Sequence, residues 1–258
     1  EFFQISTGEK VIEGQIESMS KSKKNVIDPQ SIIKTYGADS ARWFMLSDSP
    51  PEKDINWSES GINGARKICQ KIWSLIDTNK KYLTSNNDHS QKIYSGSALD
   101  LVRGVHKNLS SITKSIEKFQ MNVSIAKVFE IVNSILKFEI KEEQDKQAIS
   151  ESLYILIRII EPMVPHLAEE CWSLVGGQGS LSKEPWPVVI TKYLETDEAT
   201  IVIQINGKRR GEVIVSKDAS EEDVYAEIKN IKNIKDALSG KNILKSIYVP
   251  NKILNIVI

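Results

Sequence analysis

Cysteine is nearly absent from this sequence: only Cys69 and Cys171 occur, far apart, and no CxxC pair exists. That excludes a disulfide scaffold and the common zinc ribbons. Both residues sit among helix-patterned apolar neighbours and are expected as buried thiols of a reducing, cytoplasmic compartment. Histidine is scarce as well. His89, His106 and His166 are scattered, so no cluster argues for a metal site and none is assigned. No apolar run approaches the ~20 residues a membrane helix needs, which argues against a membrane partner. The opening EFFQISTGEK lacks the basic-then-apolar pattern of a secretory leader. Charge of one sign is not in excess either, with Lys+Arg and Asp+Glu at 34 each. A neutral total leaves nucleic acid open as a partner, because the local distribution of charge makes the footprint. What is present is ordinary for a globular chain: 258 residues, 40% hydrophobic and 26% charged. The first residue is Glu rather than Met, which is expected of a fragment or a processed chain.

Along the chain, EFFQIS and KVIEGQI read as short strands with Gly8 and Gly14 as turn points. Residues 1–30 are too short and too polar to build a core of their own, and 1–56 reads as the remnant of a larger upstream domain. Asp28-Pro29 opens a helix that Gly37 stops, and Asp39 or Ser40 can cap a second one. Pro50-Pro51 then enforces an extended connection. From Trp57 the period is helical. Ile62, Ala65, Ile68, Cys69, Ile72, Trp73 and Ile76 recur at three and four. SNNDHSQKIYSGS is a polar linker. Further helices are expected over 99–119 and 124–138, the latter with Ile125, Val128, Phe129, Val132 and Ile135 on its stripe. EIKEEQDKQ reads as a charged helix end or turn. A fourth helix opens at Leu153, breaks at Pro162, restarts at Pro165 and stops at Gly176-Gly177. The expected fold class is mostly α, with residues 57–190 as an antiparallel helical bundle. After a linker the period changes to two. TIVIQI, the Asn206-Gly207 turn and GEVIVS form a hairpin. Ser220 and Asp223 resemble a capping box, Gly240 ends a short helix, and two strands close the chain. Residues 197–258 are therefore a small α+β domain.

One polar run carries chemistry. Met19-Ser20-Lys21-Ser22 sets a lysine between small hydroxyl residues. Such a loop can swing an ammonium against a triphosphate while hydroxyls and backbone N–H groups take the other oxygens. Four residues match this logic by chance often, and on these residues alone a solvated loop is the better explanation.

The stretch MSKSKKNVIDPQSIIKTYGADSARWFMLSDSPPEKDINWSESGINGA resembles the segment around the second signature loop, Lys-Met-Ser-Lys-Ser, of class I aminoacyl-tRNA synthetases. SPPEKDINWSESGINGA and INGKRRGEV look like the leucyl enzymes of bacterial type in particular. VPHLAEECW and Trp186-Pro187 match further landmarks, and the resemblance covers essentially the whole chain. It departs in three ways. Ser18 stands where the loop's first lysine is expected, so one charge is missing, for which Lys23 or Lys24 could partly compensate. The upstream His-x-Gly-His signature, the nucleotide-binding sheet and the editing domain are absent. The chain therefore looks like the C-terminal third of such an enzyme and is not expected to form leucyl-adenylate alone.

The resemblance implies the roles. Met19, Ser20, Lys21 and Ser22 would contact ATP, used with Mg2+ as substrate of the complete leucine–tRNA ligase. Lys21 would be the catalytic residue, steadying phosphate charge as the leucine carboxylate attacks. The chain itself would bind no cofactor tightly. Asn25 would hold the loop's shape. Asp39 and Arg42 read as a capping residue and a surface ion pair. The helical region, an anticodon-binding domain by resemblance, would meet leucine tRNA through Arg66, Lys67 and Lys71. Trp73 and Trp172 sit at apolar positions and are expected in the core rather than as base-stacking platforms. Lys208, Arg209 and Arg210 at the hairpin turn make the strongest local case for RNA, since arginine forks suit phosphates and bases. The protein is expected to be a monomer. Two other readings stay open: a free-standing RNA-binding module without catalysis, and part of a valyl or isoleucyl relative.

Overall fold

The computed structural model describes residues 2–12, 17–83, 92–195, 198–229 and 231–258. The chain divides into two compact units, 1–190 and 191–258. In the first, β1 (Phe2–Phe3) and β2 (Lys10–Val11) pair antiparallel, with Phe2 opposite Val11. Gly8 makes the turn between them at φ +71°, a region closed to most side chains. Gly14, the other expected turn point, lies outside the described residues.

Helix α1 (Pro29–Tyr36) begins where the sequence signals it. The Asp28 carboxylate accepts from the Gln30 and Ser31 N–H groups, and Pro29 takes the first helical position. Gly37, at φ +87°, ends α1 and is also the N-cap of α2 (Ala38–Ser47). Asp39 and Ser40 therefore lie inside α2 and do not cap it. α3 (Glu59–Asn79) is capped by Ser58, whose hydroxyl accepts from Gly61 N–H at 3.1 Å. Its buried stripe is Ile62, Ala65, Ile68, Ile72, Leu75 and Ile76. Trp73, spaced with that stripe in the sequence, is 36% exposed, which corrects its expected place in the core. At position 73 the indole falls on the shoulder of the stripe, beside residues of α1 and α7.

The first half of the expected linker, 85–91, lies outside the described residues. α4 (Gly96–Glu117), α5 (Met121–Lys137) and α6 (Glu143–Ile160) then pack together. α5 buries Ile125, Val128, Ile131, Val132 and Ile135, while Phe129 is half-exposed and meets Trp43 edge-on at 5.6 Å. α6 starts ten residues before the expected Leu153. The charged run is its first turn, closed by a capping box in which Glu142 and Asp145 exchange backbone bonds. Carboxylates at a helix N-terminus also suit its dipole. The later half of α6 is buried almost all round, from Ala148 to Ile160. α7 (Pro165–Leu174) follows after Pro162 as expected, and buries Trp172.

In the second unit, β3 (Glu198–Ile205) and β4 (Lys208–Ser216) form an antiparallel hairpin. Asn206 and Gly207 turn it at φ +50° and +77°, both in the left-handed region that such tight turns require. β3 also runs parallel to β6 (Ile253–Val257), which pairs antiparallel with β5 (Lys245–Val249), giving the order β4-β3-β6-β5. Helices α8 (Glu221–Ile228) and α9 (Lys232–Leu238) supply Val224, Ile228 and Ile234 to a core completed by alternate strand residues such as Ile201, Ile203, Leu254 and Ile256. Ser220 and Asp223 form the capping box expected for α8.

Candidate functional site

Residues 17–25 form an exposed loop ahead of α1, and one side chain closes its mouth. The Asn25 amide accepts from Ser20 N–H at 2.8 Å and donates to the Ser18 carbonyl at 3.3 Å. An amide can do both at once because it carries a donor and an acceptor side by side. Within this clasp the Ser20 and Ser22 hydroxyls lie 3.1 Å apart, and Lys23 N–H donates to Ser20 Oγ at 3.3 Å. Lys24 reverses the chain at φ +53°. Lys21 is exposed on the turn. Lys23 pairs with Glu17 at 3.0 Å within the loop. Met19 is 48% exposed, and with Ser18, Met45 and Trp57 it borders a groove of about 540 Å3. Trp57 packs edge-on against Phe44 at 5.2 Å.

Asp39 and Arg42 do not form the surface ion pair expected of Arg42, nor does Asp39 cap its own helix. They fasten α2 to the corner between α6 and α7. The Asp39 carboxylate accepts from Leu167 N–H at 2.6 Å and contacts His166 Nδ1 at 2.9 Å, and so caps the start of α7. Arg42 donates to the carbonyls of Met163 at 3.0 Å and Pro162 at 2.7 Å, in the turn that leaves α6. Free helix ends thus find their partners on a third helix.

Between α1, α3 and α7 runs an open groove of about 790 Å3, bordered by Tyr36, Arg66, Gln70, Trp73, His166 and Glu170. Arg66 gives one nitrogen to the Thr35 carbonyl at 3.2 Å, Lys67 is exposed, and Lys71 lies 3.4 Å from the Asn133 side-chain oxygen. Cys69 also lines the groove. Burial pushes its thiol up to about 11, so it stays neutral near pH 7. Burial likewise pushes the Cys171 thiol up to about 12.

A buried polar chain lies elsewhere in the first unit. Glu151, 2% exposed, accepts from the Tyr94 hydroxyl at 2.8 Å and meets His106 Nε2 at 2.8 Å. The Ile190 N–H donates to His106 Nδ1 at 3.2 Å, so the ring proton is on Nε2, facing the carboxylate. The sequence signal was a lone Glu inside the apolar run ESLYILIRII, and nothing local names its partners.

In the hairpin, Lys208, Arg209 and Arg210 lie just past the turn, as the first residues of β4. A register shift opposite Ile203 and Gln204 makes Arg210 the extra residue of a bulge. All three are exposed. Arg209 is paired with Glu212 at 2.6 Å, whereas Lys208 and Arg210 make no ion pair among the described residues. The loop and the hairpin belong to different units, and each is described by itself.

Two family models match the chain: "tRNA synthetases class I (I, L, M and V)" over residues 2–58, and "Anticodon-binding domain of tRNA ligase" over residues 100–226. A leucine–tRNA ligase of Parvibaculum lavamentivorans is 41% identical over 98% of this chain and 29% of its own length. One from Agrobacterium fabrum is 39% identical over 99% of this chain and 30% of its own length. Among solved structures, a LeuRS–tRNA–LeuAMS ternary complex from Agrobacterium radiobacter matches 93% of this chain and 30% of that one. It does so with a TM-score of 0.75 and 26% identity. The chain thus spans about 30% of the length of the curated relatives it matches.

Proposed function

This chain belongs to the leucine–tRNA ligases of the class I aminoacyl-tRNA synthetase family, and we propose that it is the C-terminal part of such an enzyme. In this reading residues 1–56 bring the family's second signature loop to the ATP site, 57–190 form the anticodon-binding-type bundle, and 197–258 are a tRNA-binding domain. The complete ligase, a cytoplasmic monomer, activates leucine with MgATP and transfers it to leucine tRNA. What supports this most is the collinear match, 41% identity carried over 98% of the chain, through loop, bundle and tail alike.

The loop's chemistry follows from its residues. A leucine carboxylate oxygen bonds to the α-phosphorus of ATP, and the bond to the leaving pyrophosphate breaks. Negative charge builds on the phosphate oxygens as this happens. The Lys21 ammonium, held on a turn with fixed ends, meets that charge, and a preorganised cation lowers the barrier without rearranging at the moment of reaction. Ser20 and Ser22 offer hydroxyl donors, and Met19 turns an apolar side chain to the neighbouring groove. Mg2+ would be carried by the nucleotide phosphates. In the tail, Lys208 and Arg210 are available to RNA phosphates, with Arg209 partly spent on Glu212. Arg66 and Lys67 extend the basic surface on the bundle.

The test has two arms. Leucine tRNA and an unrelated tRNA are titrated against the chain by gel shift at several salt concentrations, and leucine tRNA is expected to bind tighter. In the complete ligase, Lys21→Ala is expected to slow pyrophosphate exchange by about 100-fold, the scale seen when one charge-stabilising donor is lost, with little change in tRNA affinity. Equal binding of both tRNAs sinks the tail assignment, and an unimpaired Lys21→Ala enzyme sinks the loop's role.

A further inference from the structure

The groove between α1, α3 and α7 takes no part in the loop chemistry or in the hairpin. Its α3 wall is one stripe, because Arg66, Gln70 and Trp73 are spaced at four and three and so rise one above another. Trp73 is the exception among the chain's packed tryptophans. It is 36% exposed, against 1% for Trp43 and 5% for Trp172. The indole therefore offers a free face to the groove. Arg66 commits one nitrogen to the Thr35 carbonyl and keeps the rest of its fork. Lys67, the exposed residue next to Arg66, adds a second cation on α3, whereas Lys71 reaches to Asn133 on α5. Of the acids in the lining, Asp39 is occupied by Leu167 N–H and His166, which leaves Glu170. The wall that carries the aromatic face is thus cationic. An aromatic platform among cations suits a nucleotide: the base stacks and the phosphates meet the charges.

We propose that this groove is a stacking subsite for one unpaired nucleotide of the tRNA, its base lying on the Trp73 indole and its phosphates meeting Arg66 and Lys67. The proposal rests on reading the chain as a tRNA-binding part of a leucine ligase. Stacking is indifferent to base identity, because every base has a π-face, so the subsite supplies affinity and placement rather than sequence choice.

The experiment uses this chain and a leucine tRNA transcript, with affinity measured from low to moderate salt. Trp73→Ala is expected to weaken binding about tenfold, the scale of one lost base stack. It should do so equally at every salt concentration, since no phosphate contact is removed, and Trp73→Tyr should recover most of the loss. Lys67→Ala should instead reduce the slope of log affinity against log salt by about one. A second readout guards against a folding defect. In the unaltered chain, bound tRNA should shield an exposed tryptophan from acrylamide quenching, and Trp73→Phe should abolish that shielded component. Unchanged affinity in a folded Trp73→Ala chain overturns the subsite, as does tryptophan quenching that tRNA leaves unaltered. That result is also expected if another protein segment covers the groove. Failure of the underlying reading looks different, since the unaltered chain would then not prefer leucine tRNA at all.

Discussion

Asn25 shows what one residue does that composition does not announce. Its position after a run of lysines was legible, and so was a part in holding the loop. The two bonds it makes depend on Ser18 and Ser20 lying opposite it, which only the folded turn provides. Asn25→Ala is expected to raise the hydrogen-exchange rate of the Ser20 amide by about tenfold or more, consistent with loss of a bond of ~1 kcal/mol or slightly more. The amides of α3 serve as the unchanged reference in the same mass-spectrometric experiment. Glu169 gives a pH prediction. The Ser180 hydroxyl, and after it the Leu181 N–H, hold its carboxyl below the ordinary value of 4.5. A carboxyl with a depressed folded pKa adds stability above its unfolded pKa and loses it as pH falls through the folded one. Thermal melts between pH 6 and 3 should therefore fall less steeply for Glu169→Gln than for the unaltered chain, with the difference opening below about pH 4.5.

Helices were readable where an apolar stripe and a cap coincide. α1 and α8 begin at their Asp and Ser caps because those side chains satisfy nearby N–H groups, a strictly local matter. The start of α6 was placed too late, at Leu153, because its first turn carries no apolar stripe, although the charged run before it was read as a helix end or a turn. Glu142, Glu143 and Asp145 look like a solvated turn until the capping box and the dipole are weighed together. The attachment of α2 was hidden for another reason: Arg42 and its acceptor Met163 are 121 residues apart. Asp39→Ala should release the start of α7 and cost about 1–2 kcal/mol, the usual worth of a lost cap. Chemical denaturation of the single variants and of the Asp39→Ala, Arg42→Ala pair measures it. Near-additivity is expected, because the two side chains bind different helix ends. Gly177 makes a harsher case. A Cβ there would sit 2.2 Å from the Trp172 ring, so Gly177→Ala should cost about 1–3 kcal/mol as the indole is forced aside.

Across the molecule, the order of its parts was plain from the switch of hydrophobic period, because a stripe at 3.6 and an alternation at two cannot exchange places. The pairing of β3 with β6 in parallel was not, since 202 must find 253 across two helices. Each unit owns a core, and the buried residues of the sheet and its helices form a closed set in 191–258. Near-ultraviolet dichroism, which reports the five tryptophans, all in the first unit, should then lose its signal at a different temperature from the far-ultraviolet strand signal of the second. Electrostatics supplies the remaining prediction. Lys208→Ala with Arg210→Ala should lower the salt slope of tRNA binding by about two, one per phosphate contact. Arg209→Ala should lower it by less, because Glu212 partly offsets that guanidinium.

The Asn206 side chain has a practical corollary. Its amide holds both the N–H and the carbonyl of Ile258, at 3.1 and 3.3 Å, so the last residue is stitched to the hairpin bend. A bulky label attached at residue 258 would therefore sit by the bend that leads into Lys208 and Arg210 and would crowd whatever they touch. Labels for work on RNA binding belong on an exposed side chain of α4.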